Sequence, residues 1–104
     1  MILYNVTINI DQSVHDEWLA WMKSVHIPAV MKTGCFTEYK MLRVLGDDPE
    51  QTGGGHTYAV QYSCNSMDDF IHYEKTFADL LRKEHAEKYK DKFVAFRTLL
   101  ERVS

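Results

Sequence analysis

Residues 2–10, ILYNVTINI, alternate so strictly that they narrow the choice of fold more than any other stretch. Ile2, Tyr4, Val6, Ile8 and Ile10 share one face, and Leu3, Asn5, Thr7 and Asn9 share the other. That is the two-residue period of a strand with one buried side and one more polar side. Such a sheet must bury its apolar face against another layer, and the next stretch supplies one. Ser13 is an N-cap candidate, and Asp16 and Glu17 fall in a first turn where carboxylates complement the helix dipole. Val14, Trp18, Trp21, Met22, Val25 and Ala29 then recur at helical spacing. Pro28 removes an amide donor and crowds the preceding turn, so the helix is expected to kink or restart there. Gly34 suits the C′ position at its end.

The remaining pattern completes the topology. Residues 35–45, CFTEYKMLRVL, read as a second strand. Residues 46–55, rich in Asp, Pro and Gly, read as a hairpin loop with Asp47, Asp48 and Glu50 at its tip. A third strand is predicted over 56–64. Ser66 opens a second helix with Asp69 three residues on, a capping box with Asp in place of the usual Glu. Met67, Phe70, Phe77, Leu81 and His85 mark the expected buried stripe of this helix, which runs to about Lys90, and a last strand is predicted over 93–103. The order is β-α-β-β-α-β. Right-handed crossovers place both helices on one face of a four-stranded antiparallel sheet in the order 4-1-3-2, an α+β ferredoxin-like arrangement. At 104 residues and 12.2 kDa the chain, 1–104, is expected to form one such domain. The outer face of the sheet carries Leu3, Leu42 and Val44 among Asn5, Thr7 and Asn9, too apolar for plain solvent surface. Two such faces packed about a two-fold axis would bury it, so a homodimer closing an α/β barrel is expected.

Charge and motifs exclude several functions. With 12 basic against 15 acidic side chains the net charge is −3, and no cationic field draws in phosphate backbones or anionic lipid. The basic tract from Arg82 to Lys92 is interleaved with Glu84, Glu87 and Asp91 and reads as a solvated helix face. RNA-recognition domains share this strand order, but an alignment on Val60 and Tyr62 puts Thr57 and Ala59 where stacking aromatics belong. Nucleic acid is therefore not an expected partner. No apolar run is long enough to span a membrane, and MILYNVTINI lacks the basic start of a signal peptide; both point to the cytoplasm. Cys35 and Cys64, without CxxC spacing, are expected to be reduced core thiols. Gly53-Gly54-Gly55 leads into a strand and is not followed by Lys-Ser/Thr, so it makes no phosphate cradle. His15 and His26 would lie about 16 Å apart along the helix axis, too far to share a metal, and the acidic hairpin tip lacks calcium-loop spacing. No metal and no cofactor is expected.

The segment from Ala20 to Val30 resembles the EthD-like branch of the dimeric α/β-barrel superfamily, in which an aromatic-rich helix end is followed by His-x-Pro. Trp21, His26 and Pro28 match, while Met22 stands where a second aromatic is common. Over nearly its whole length the chain is also similar to a family of short bacterial proteins of unknown function, common in Bacteroidetes, through YNVTINID, HIPAVMKTGCF, TYAVQY and KFVAFRTLLE. These resemblances imply the ferredoxin-like fold, dimerisation and a pocket between sheet and helices; they bring no activity.

A site is sought where that pocket would lie. A hairpin symmetric about its loop sets Tyr39 opposite Tyr62 and Arg43 opposite Tyr58 on the helix side. His26 would then reach Tyr39, and a histidine beside a phenol is an acid–base pair suited to proton transfer on a small organic ligand. Trp18, Trp21, Tyr58, Tyr62 and Arg43 are the candidate pocket wall. The plainer alternative is that these aromatics fill the space as core, with His26 and His85 as satisfied core histidines, leaving a dimeric interaction or regulatory module. A solvent-accessible cavity beside His26 separates the two.

Overall fold

The structure, a computed structural model, describes residues 1–46 and 54–104. The acidic tip (Asp47, Asp48, Glu50) and Gly53 lie outside the described residues. The strands are β1 (Ile2–Ile10), β2 (Glu38–Arg43), β3 (His56–Cys64) and β4 (Phe93–Glu101). They form one antiparallel sheet in the order β2-β3-β1-β4, the predicted 4-1-3-2 read from its other edge. Tyr39 lies opposite Tyr62 and Arg43 opposite Tyr58, the register a symmetric hairpin requires. β2 is shorter than the predicted strand. Cys35 and Phe36 precede it and turn into the core instead of extending it.

Each crossover is helical but not uniformly so. The first comprises α1 (His15–Trp21), a π-helical turn at Met22–His26, and α2 (Ile27–Met31). The second comprises α3 (Met67–Tyr73), a π-helical turn at Glu74–Ala78, and α4 (Asp79–Lys88). Pro28 accounts for the first wide turn. Its ring cannot follow an ordinary turn over the Ser24 carbonyl, and the Ile27 N–H donates five residues back to the Met22 carbonyl, so the helix restarts with Pro28 in its opening turn. The π turns shift the buried stripes: Trp18 and Met22 are followed by Ile27 and Val30, and Phe70 and Tyr73 by Ala78, Leu81 and His85. Val25 and Met67, expected inside, are exposed.

Two capping details complete the helices. Asp11, not Ser13, caps the first crossover, its carboxylate accepting the Ser13 N–H at 2.8 Å. Ser66 caps α3 as expected, accepting the Asp69 N–H at 3.3 Å.

Tyr4 and Ile8 of β1 face the helices and are buried. An aromatic group fills one part of the core: Phe36 lies 4.8 Å from Tyr73 and Tyr4 5.0 Å from Phe70, between ring centroids. Both cysteines are buried and free. On the opposite face of the sheet, Asn5 donates to Thr7 and Asn9 to Thr57, each at 3.0 Å. Register sets Val94 opposite Asn9, Phe96 opposite Thr7 and Leu100 opposite Leu3 on this same face. Val94 and Phe96 are 71% and 61% exposed, so the outer face is more apolar than Leu3, Leu42 and Val44 alone suggested.

Candidate functional site

The helices do not seal the sheet. Between them and strands β3, β1 and β4 lies a cavity of about 330 Å³. Its floor is apolar, from Val6, Ile8, Val60, Phe93 and Ala95. His26 and Val30 bound it on the first crossover, and Tyr73, Arg82 and His85 on the second; Tyr4, Tyr62 and Arg97 bring polar groups from the sheet. The wide turns set both helical walls: His26 ends the first, and Tyr73 immediately precedes the second.

Two histidines meet there, with ring centroids 5.7 Å apart and nearly edge to face. His85 is fixed from behind. The Trp18 indole N–H donates to His85 Nε2 at 2.9 Å, which makes that nitrogen an acceptor and leaves the proton on Nδ1. The Phe93 ring, 4.4 Å away and perpendicular, holds the imidazole plane. His26 packs against Trp21 at 5.3 Å, and its Nδ1 is buried without a hydrogen-bond partner. Burial, with the Arg97 charge behind it, pushes His26 down to about 4. Burial, His26 and Arg97 together push His85 down to about 4 as well. Both rings are therefore neutral at pH 7.

The cations differ in their partners. Arg82 donates to Glu74 at 2.6 and 2.8 Å and to the Tyr4 hydroxyl at 2.9 Å, an arrangement that bridges the second wide turn. Arg97 makes no ion pair with a carboxylate among the described residues. Burial raises the Tyr62 and Tyr73 hydroxyls above the usual phenol range, so they remain protonated.

Of the residues singled out in the sequence, His26 and Tyr62 line the cavity. Tyr39 does not: it sits about half-exposed on edge strand β2, which contributes no residue to the cavity lining. His26 is paired with His85 rather than with Tyr39. Trp18 and Trp21 stand behind the two histidines instead of in the wall. Tyr58 belongs to a different cluster, where its hydroxyl meets His15 Nε2 at 2.7 Å and Arg43 lies 5.7 Å over its ring. Arg43 also contacts His56 Nδ1 at 2.9 Å, and His56 Nε2 contacts Gln12. His85, Arg82, Arg97 and Tyr73 were not singled out as pocket residues. Arg97 carried a usable signal, because it occupies a helix-side position of β4 between Ala95 and Leu99. Among the described residues no three metal-ligating side chains are grouped, and no helix is long and apolar enough to cross a membrane.

Solved structures share this architecture at low sequence identity. A dimeric ferredoxin-like protein from an uncultured marine organism superposes with a TM-score of 0.70 at 13% identity, covering 100% of this chain and 96% of its own. HapK from Hahella chejuensis gives 0.69 at 11%, covering 99% and 93%. An ethyl tert-butyl ether d (EthD) family protein from Bacillus halodurans gives 0.67 at 14%, covering 99% and 100%. No curated protein sequence matches the chain significantly. A family model matches residues 1–103, and the chain belongs to that family, the domain of unknown function DUF4286.

Proposed function

We propose that residues 1–104 act as one homodimeric domain that binds a small, largely apolar organic molecule in the cavity beside His26, with His26 as its proton-transfer group. The observation that carries this is the cavity itself: about 330 Å³ of space over an apolar floor, bordered by two neutral imidazoles. Its size falls in the range of small-molecule sites, which are commonly apolar with a few convergent polar groups. An interaction module whose own aromatics filled the space would have no such opening. Neutral His26 can accept a proton from a weakly acidic ligand group, while His85, its tautomer held by Trp18, offers only a donor. Dimerisation is supported by the exposed apolar row of Leu42, Val94, Phe96 and Leu100 on the outer sheet face, and by the description of one structural neighbour as dimeric. The two free thiols fit a reducing cytoplasm.

Indole, small, neutral and aromatic, tests the binding reading. Titrated into the isotopically labelled protein, it should shift the His26 and His85 ring signals saturably. His26→Gln should keep the dispersed spectrum of the folded chain and weaken that binding. Shifts confined to the outer sheet face, or an unaffected His26→Gln, would refute the reading.

A further inference from the structure

The charged groups around the cavity, Arg82 and Arg97, are both cations, and no Asp or Glu is among the described residues lining it. This imbalance is unexpected in a chain of net charge −3. Arg82 is already satisfied by Glu74 and Tyr4. Arg97 is different: it reaches the cavity from edge strand β4, is solvent-exposed, and pairs with no carboxylate among the described residues. His85 adds a donor, because the Trp18 indole occupies its Nε2 and leaves Nδ1–H for another partner. Beside these groups lies the apolar floor: Val6 is the cross-strand neighbour of Arg97, Phe93 packs against the His85 ring, and Ile8 follows Val6 on the helix side of β1. A cation and a fixed N–H donor bordering an apolar floor suit an amphipathic anion.

Resting on the binding reading above, we infer that the ligand is a small organic carboxylate or comparable oxyanion, its charged head between Arg97 and His85 and its apolar body against the β1–β4 floor. A guanidinium provides paired donors suited to a carboxylate. Burial is the main reason that both histidines hold protons weakly, and the Arg97 charge adds to it.

Benzoate and its uncharged near-isostere benzamide test the inference on the full-length protein at pH 7, with the His26 and His85 ring signals as readout. Benzoate should bind about tenfold more tightly than benzamide, the worth of one charge-assisted hydrogen bond. Arg97→Gln should remove that preference while leaving benzamide binding unchanged, which also shows that the variant is folded. If benzamide binds as tightly as benzoate, or the preference survives in Arg97→Gln, the anion assignment is wrong and the cavity remains a binding site for neutral molecules. If neither probe moves the cavity histidines at millimolar concentration, the anion assignment and the binding reading fall together.

Discussion

His26 and His85 share one low-dielectric space but are held there differently. Trp18 satisfies one nitrogen of His85 and fixes its proton, whereas His26 keeps a buried nitrogen without a partner. Both are pushed from the ordinary histidine value of 6.5 down to about 4, by burial first. The unfolded chain therefore binds more protons than the folded one between those values, and stability present above pH 6.5 is lost as the pH falls toward 4. Each histidine should contribute on the order of 1–3 kcal/mol to that loss. Urea denaturation across this window should show the decline, and His26→Gln should flatten it by about half. An unchanged slope in the variant would mean that His26 is not buried as described. The sequence pointed to His26 through the Trp21…His26-x-Pro28 spacing. It did not disclose His85 as its neighbour, since an apolar-stripe histidine looks the same whether it fills a core or borders a cavity.

At the scale of elements, strands were more legible than helices. Alternation needs only a two-residue count, so the faces of β1 and the register of the β2–β3 hairpin followed directly from residue types and loop position. The first helical stripe was misread at Val25 because a regular period was assumed; Met67 is exposed at the start of α3, ahead of the second π turn. Met22 to Ile27 and Tyr73 to Ala78 are steps of five, each spanning a π turn. Pro28 warned of the first, and no comparable residue marks the second. Substitution separates the two geometries. Val25→Lys should change stability by no more than about 0.5 kcal/mol, as for an exposed site, whereas Ile27→Ala should cost about 2–5 kcal/mol. The reverse ranking in chemical denaturation would restore the regular helix and move His26 away from the cavity.

For the molecule as a whole, the same sheet divides two jobs. Its helix side forms the cavity, and its outer side exposes Val94 and Phe96 in the row proposed to join two copies. Sedimentation at micromolar concentration should give about twice the 12.2 kDa chain mass. Phe96→Lys should shift the protein to the monomer while the cavity histidine signals stay in place; a wild-type monomer throughout that range would leave the outer face unexplained. The topology and the apolar outer face were readable in advance, but the opening beside His26 was not, because residue patterns assign faces and do not reveal how completely side chains fill the space between them. That opening is the centre of the account. A crystal structure of protein purified without ligand removal tests it most directly: density for a small organic molecule within contact of His26, His85 and Arg97 is the predicted result. A cavity closed by its own side chains, or a His26 ring turned out into bulk solvent, would contradict it.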